Sequence, residues 1–444
     1  MTAGQHPPTG DLVARIEAQT AVVAIVGLGY VGLPLAIQYA EAGFRTIGLD
    51  VDSARIDALI AGSSHIDDVS DAALAAVVDS GHLVPTADPD DLRAADAIYL
   101  CVPTPFDAAK TPDLSFVRAA ATTVADVLTP GTLVILQSTT YPGTTEEIVR
   151  PILESGSGLQ AGTDFHLAYS PERVDPANPT WTLANTPKIC GGVTPACGEV
   201  TRVLLEAMMG EPGLVTVVGS PAVAEMAKLA ENTYRAVNIA YVNELAMLAH
   251  EMGIDIWEVM DAAATKPFGY QSFLPGVGPG GQCIPVNPHY ISWKAREYDF
   301  HTSFIELAGD INVRMASYVI HRIHAFTTRV GVALGGARVL CLGAAFKAGV
   351  SDVRNSRAVR VMELLADLGA QVEFCDPLVD ALSLRGRDIK GVALDAVAFS
   401  DYDLIVVLVR NPAWPVDAVV GAGIPTFDAV NALDRPSGAL HERL

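Results

Sequence analysis

Basic residues are scarce in this chain: 29 Lys and Arg stand against 51 Asp and Glu over 444 residues, a formal net charge of -22. A surface of that sign repels phosphate backbones and anionic lipid heads, so neither nucleic acid nor membrane is expected as a partner. Cysteine is sparse as well. The six present (Cys101, Cys190, Cys197, Cys283, Cys341 and Cys375) form no CxxC pair and no Cys/His cluster at zinc-ligand spacing. No metal is expected, and a reduced cytoplasm is the fitting compartment. The first twenty residues hold Asp11, Arg15 and Glu17, not the basic start and apolar core of a signal peptide. One uncharged stretch, Ala21 to Ala40, is long enough for a membrane span, but Gly27, Gly29, Gly32 and Pro34 interrupt it at turn spacing. It reads as a strand, a glycine turn and a helix. Low-complexity tracts and repeats of solenoid period are absent.

What the chain does have is core-forming material, with 50% hydrophobic and 18% charged residues. At ~100–200 residues per domain the length predicts about three domains. AVVAIVG (21–27) is a continuous apolar run of strand length, the pattern of a strand buried on both faces in a parallel sheet. Further strands are expected in segments ending at Asp50, Pro103, Ser138 and Ser170, alternating with helix-like stretches in α/β order. The segment 221–252 carries apolar residues at helical spacing with no Gly or Pro after its first residue, and reads as one long helix. A second helix is expected over about 303–329. ARVLCLG (337–343) then opens a new strand–turn–helix series that runs through VEFCDP and DLIVVLV. The expected fold class is α/β, with two doubly wound Rossmann-like domains joined by a helical central domain: 1–215, 216–330 and 331–444.

Gly27-Leu28-Gly29-Tyr30-Val31-Gly32 is a G-x-G-x-x-G between an expected strand and an expected helix, and Asp50 ends the next strand about twenty residues on. Glycines there allow a tight turn and close backbone approach to a pyrophosphate, which would lie on the positive end of the helix dipole. Asp50 would accept from a ribose hydroxyl and repel a 2′-phosphate, which favours NAD over NADP.

The segment 268–290, FGYQSFLPGVGPGGQCIPVNPHY, is the least core-like in the chain, with glycines and prolines crowded ahead of Cys283. So open a backbone can wrap a ligand and leave a thiol accessible. Taken alone, Cys283 reads as a small buried residue. Lys228 and Asn232 are four residues apart on the long helix and share a face with Glu225, so they could donate to an oxyanion together. Their spacing alone reads as a solvated helix face. Thr139 and Glu172 follow expected strand ends, where ligands bind in α/β sheets.

GLGYVG (27–32), CVPTP (101–105), QSTTYPGT (137–144), SPER (170–173), AEMAKLAENTYRAVNIAYVNELA (224–246), GPGGQCIP (278–285) and GAAFKAGVSDVRNS (343–356) together resemble the UDP-glucose/GDP-mannose dehydrogenase family over nearly the whole chain. STTYPGTTEE, TKPFGYQSF and CIPVNPHYISWKAREY resemble its UDP-N-acetylglucosamine 6-dehydrogenase branch more than the UDP-glucose branch, where a lysine usually stands at the position of Val286. The resemblance implies NAD-dependent, four-electron oxidation of a nucleotide-sugar C6 alcohol (UDP- or dTDP-glucose, or a UDP-N-acetylhexosamine) to the acid, as in polysaccharide biosynthesis. It further implies a Cys283 thiohemiacetal and thioester, Lys228 and Asn232 as oxyanion donors, Glu172 in thioester hydrolysis, and a water near Thr139. Cofactor contacts would come from Gly27, Gly29, Tyr30, Val31, Gly32, Asp50, Pro103, Thr104, Ser138, Thr139 and Arg354. Substrate contacts would come from Glu172, Arg173, Lys228, Asn232, Phe273, Gly280 and Lys347. Arg354 and Lys347 could equally be surface cations. A homodimer through the central helices is also implied.

Two positions depart from the family pattern. Asn287 stands where an aspartate is usual, four residues after the nucleophile, and Gln282 where the branch often has histidine. An amide cannot serve as a base, although it can position a water or hydrogen-bond the thiol region, so either Asn287 keeps only an orienting role or another carboxylate such as Glu172 carries more of the proton work. Two rivals remain: a two-electron dehydrogenase of the hydroxy-acid type, which needs no thiol, and a non-catalytic protein that binds NAD or a nucleotide sugar.

Overall fold

The apolar run after Ala21 forms the centre of a sheet in the computed structural model, which describes residues 9–107, 110–435 and 437–444. Its strands are β1 (Val22–Val26), β2 (Arg45–Leu49), β3 (Leu83–Thr86), β4 (Ala97–Leu100), β5 (Leu133–Leu136), β6 (His166–Tyr169), β7 (Lys188–Gly192) and β8 (Val215–Val218). They lie in the order β3-β2-β1-β4-β5-β6-β7-β8. Every neighbouring pair is parallel except β6 and β7. All residues of β4, β5 and β6 are buried, as strands covered on both faces must be. Each Val, Ile or Leu so buried contributes about 1.5–3 kcal/mol of transfer free energy. The order reverses between β1 and β4, so the crevice beyond their carboxyl ends is where a doubly wound sheet binds its ligand.

A second sheet holds β9 (Arg338–Leu342), β10 (Gln371–Cys375), β13 (Leu404–Val407), β14 (Thr426–Asp428) and β15 (His441–Arg443), all parallel, in the order β10-β9-β13-β14-β15. The antiparallel pair β11 (Ala381–Leu384) and β12 (Arg387–Lys390) forms a separate hairpin that the apolar pattern did not announce. Its Arg385-Gly386 turn has φ of +53° and +77°, the geometry a two-residue hairpin requires.

In chain order, long helices separate the strands of the two sheets. Pro221–Met252 is one helix of 32 residues, about 48 Å long at 1.5 Å per residue. It stops where Gly253 takes a left-handed φ of +67°. Ser303–Val330 buries Ala308, Asn312, Met315, Val319, Ile323 and Phe326, a stripe at three- and four-residue spacing. Packing divides the chain into two compact units: residues up to Glu231 with Trp293–Phe300, and Asn232–Ser292 with His301–Leu444. In the second unit Met315, Ile323 and Phe326 share a core with Val339, Cys341, Leu404, Val406 and Phe427. Among the described residues no helix is long and apolar enough to cross a membrane.

Candidate active site

In the first unit the glycine turn follows β1. Gly27 has φ +95°, and a Cβ on it would lie 2.7 Å from the Cys101 carbonyl oxygen. A Cβ on Gly32 would overlap the Gly27 carbonyl, whereas one on Gly29 would meet nothing within 4 Å. The first and third glycines are therefore demanded by packing, and the middle one faces open space. Tyr30 and Val31 are exposed beside it. The helix Gly32–Glu41 starts with no side-chain cap at Val31; Leu33 N and Leu35 N donate to Gly29 O and Val31 O and Pro34 has no N–H, so the Gly32 N–H is what its first turn leaves for a ligand. Asp50, buried at the end of β2, accepts from Leu28 N at 2.8 Å and Asp52 N at 3.0 Å, and Arg55 Nη1 donates to it at 2.7 Å. Burial alone would push its carboxyl up, but these donors outweigh burial and hold it below the usual carboxylate range. Open glycine, uncapped helix and ionised acid fit the diphosphate and ribose of NAD.

The loops after β4 and β5 are tied to each other beside this turn. Ser138 Oγ donates to Val102 O at 2.7 Å, and Thr104 Oγ1 donates to Thr139 O at 2.8 Å. Pro103 lies between these two anchor points in the first loop. Beyond β6, Glu172 Oε1 accepts from Arg173 N at 2.7 Å and Val174 N at 2.8 Å. Its Oε2 accepts from Gln137 Nε2 at 3.2 Å and lies 3.5 Å from Lys188 Nζ. The Arg173 guanidinium is engaged by Glu231 at 2.7 Å and by Pro187 O at 2.7 Å.

Lys228 and Asn232 do not lie on a solvated face. Both are buried, as is Glu225, while Met226 and Tyr234 on the other side of the helix are exposed. That replaces the expectation drawn from spacing alone. Glu225 accepts from Gly143 N at 2.6 Å, Thr145 N at 2.9 Å and Thr145 Oγ1 at 2.7 Å. It thus ties the segment after Thr139 to the helix one turn before Lys228. Burial pushes the Glu225 carboxyl up to about 7 against those donors. Lys228 makes no ion pair among the described residues. A buried ammonium without a counter-ion suits an anionic ligand atom.

In the second unit Cys283 is exposed, whereas the other five cysteines are buried. The loop before it is shaped by Gly278 at φ +100° and Gly281 at φ +82°. Gly280 packs so closely on Phe346 that a Cβ would come within 2.8 Å of it. Gly281 N donates to Arg354 O at 3.2 Å, and Asn355 Nδ2 donates to Gly281 O at 3.1 Å. Asn287 N donates to Cys283 O at 2.9 Å and opens the helix Asn287–Ala295. Its side chain is buried and accepts a hydrogen bond from Asn232 Nδ2. Asn232 thereby keeps one N–H for other use, with its amide plane fixed. Phe273 meets Tyr234 edge-on at 6.0 Å. The Arg354 guanidinium clasps Asp352 at 2.8–3.1 Å, and Lys347 is half-buried in the loop after β9.

Several groups escaped the sequence reading. Lys188 and Gln137 touch Glu172, Arg55 touches Asp50, and Asn243 Oδ1 accepts from Gly276 N at 3.0 Å to tie the glycine loop to the long helix. Only Arg55 left a signal, a cation in the first turn after the acid.

Three models of one family match consecutive segments of the chain. They are the UDP-glucose/GDP-mannose dehydrogenase family's NAD binding domain over 21–209, its central domain over 222–314 and its UDP binding domain over 340–435. The UDP-N-acetyl-D-glucosamine 6-dehydrogenase of Pseudomonas aeruginosa is 38% identical over 360 residues, covering 81% of this chain and 83% of the relative. Among solved structures, UDP-D-ManNAc dehydrogenase from Pyrococcus horikoshii matches with a TM-score of 0.84 at 31% identity, covering 95% of this chain and 98% of that one. A UDP-glucose dehydrogenase from Pyrobaculum islandicum matches with a TM-score of 0.83 at 26% identity, over 95% and 97% of the two chains.

Proposed function

The chain belongs to the UDP-glucose/GDP-mannose dehydrogenase family and is an NAD-dependent nucleotide-sugar dehydrogenase, and on that premise we propose that it oxidises the C6 alcohol of a UDP-N-acetylhexosamine to the uronic acid. The observation that carries the chemistry is the exposure of Cys283 in a chain whose other cysteines are all buried. Residues 1–215 hold the cofactor, 216–330 supply the helix and thiol loop, and 331–444 hold the nucleotide end of the substrate through the loop of Lys347.

NAD at the glycine turn supplies the hydride acceptor for both oxidations, so one alcohol, one water and two NAD give one carboxylate, two NADH and three protons. In the first oxidation a water held near Thr139 takes the hydroxyl proton as the C6 hydride leaves. The Cys283 thiolate then adds to the aldehyde carbon, and Lys228 and Asn232 donate to the resulting oxyanion. Loss of the second hydride leaves a thioester. Water attacks it, Glu172 receives the water proton, and the C–S bond breaks to return the thiolate, the carboxylic acid product giving up the third proton. Asn287, an amide, only fixes Asn232, so the proton work falls to Glu172.

The test is to count NADH formed per sugar across a panel of UDP- and dTDP-hexoses, for the protein and for Cys283→Ser. Two NADH per sugar, best efficiency on an N-acetylhexosamine and no acid from the Ser variant are expected. Full turnover to acid without the thiol would favour the hydroxy-acid-type mechanism, and binding with no NADH at all a non-catalytic role.

We place the protein in the cytoplasm, where such a thiol stays reduced, and in polysaccharide biosynthesis. It acts as a homodimer: Met226, Tyr234, Tyr241, Leu248 and Met252 form an exposed apolar stripe along the long helix. Sedimentation as a monomer at micromolar concentration would remove that assignment.

A further inference from the structure

Lys188 is 2% exposed, and its ammonium has one ion-pair partner among the described residues, Glu172 Oε2 at 3.5 Å. A buried lysine is costly to hold charged unless something compensates it. Its position follows from the single antiparallel pairing in the first sheet. β6 and β7 pair Ala168 with Gly192 and Tyr169 with Gly191. Each step forward along β6 is one step back along β7, so that register, continued past the strand end, sets Glu172 opposite Lys188. Strands β1 to β6 bring their carboxyl ends to the ligand-binding edge of the sheet. β7, reversed against β6 and followed in that direction by β8, brings its first residue there.

We propose that Lys188 is a positioning residue for Glu172, fixing the direction of the carboxylate and setting a positive charge beside it as it receives a proton from the hydrolytic water. This rests on the hydrolytic role proposed above for Glu172. Neutral donors already hold the carboxylate on both oxygens: the backbone of Arg173 and Val174 on one, Gln137 on the other. Among the described residues Lys188 is the one cation paired with it. Arg173, the nearest alternative in sequence, turns its guanidinium to Glu231 and Pro187 O. The Cys101 thiol also faces this carboxylate, and burial, reinforced by the charge of Glu172, pushes it far up and keeps it protonated. Among the described residues Lys188 is the cation that pairs with the carboxylate. Removing that charge disfavours the ionised form and lets the side chain swing. The step that suffers is hydrolysis of the thioester, not binding of substrate or cofactor.

Lys188→Met, Lys188→Arg and Glu172→Gln are compared in stopped-flow NADH formation and in steady-state pH profiles. In Lys188→Met a rapid NADH burst should persist, kcat should fall about tenfold with KM for both substrates nearly unchanged, and the acidic limb of the profile should move up by about one pH unit. Lys188→Arg should restore the limb. Should the Met variant fail to fold, Lys188→Gln against Lys188→Arg gives the same reading, with Gln expected to move the limb and Arg to keep it. If Glu172→Gln hydrolyses the thioester at the normal rate, the role of Glu172 itself is wrong. If Glu172→Gln stalls after the burst while the neutral Lys188 variants keep the normal limb and kcat, or change KM alone, Lys188 is only a structural residue and the inference fails.

Discussion

The two parallel sheets begin with the same device and finish it differently. β1 ends at Gly27 with φ +95°, and β9 ends at Gly343 with φ +99°. In both, the next strand delivers an aspartate that accepts from the turn: Asp50 from Leu28 N at 2.8 Å, and Asp376 from Ala344 N at 2.8 Å and Ala345 N at 3.1 Å. Each acid also accepts from the backbone N–H two residues on, Asp52 and Leu378, at 3.0 Å. The difference lies in the helix. After Gly27 it starts at Gly32 without a side-chain cap. After Gly343 it starts only at Arg357, and Ser356 caps it, accepting from Val359 N at 3.3 Å while donating to Ala344 O at 2.7 Å. The second turn satisfies Ala344 N and Ala345 N through Asp376. The first leaves the Gly32 N–H of its helix start open. Rossmann-like topology alone is therefore not a dinucleotide site; the open helix end makes it one.

The largest effect expected from breaking this contrast is at Gly32→Ala, whose Cβ would overlap the Gly27 carbonyl. Backbone must move, so a loss of about 2–4 kcal/mol of stability and abolished NAD binding should appear in chemical denaturation and calorimetric titration. Asp376→Asn comes next. It weakens acceptance from two turn amides and should cost about 1–3 kcal/mol with the NAD dissociation constant unchanged. A changed NAD affinity there would mean that the two turns are not independent. Gly29→Ala meets no protein atom within 4 Å, so stability should hold while NAD binds about tenfold more weakly, near 1.4 kcal/mol. Equal binding by this variant would place the diphosphate elsewhere. The smallest effect concerns pH. Because the folded-state carboxyl of Asp50 is held below its ordinary value, the stability it adds is present above about pH 3.9 and is lost as pH falls through the folded value. Asp50→Asn should therefore lose less stability than the parent between pH 6 and pH 3, measured by denaturant titration.

Much of this contrast was legible beforehand. The run AVVAIVG read as a doubly buried strand because no polar residue interrupts it, and the helix Pro221–Met252 emerged with the bounds its unbroken periodicity suggested. The glycine spacing also survived, since two of the three glycines answer to backbone overlaps that a sequence must respect. Contacts set by register were not legible. Nothing local to Glu172 or Lys188 reveals that β7 runs against β6, and their pairing needs that reversal. Spacing likewise put Lys228 and Asn232 on one face but could not say what covers it. Asn287 looked like a lost base, and its hydrogen bond from Asn232 became apparent only once two segments 55 residues apart were folded together.

The uneven exposure of the cysteines turns the protein into its own counting device. Burial raises the thiols of Cys101 and Cys341 far above their ordinary range, that of Cys190 to about 12 and that of Cys375 to about 11, and Cys197 is enclosed as well. A thiol reagent applied to the folded chain at neutral pH thus meets a single reactive sulfur. One equivalent of label per chain reports the fraction of competent molecules in any preparation, and uptake beyond one, toward all six cysteines, reports unfolding.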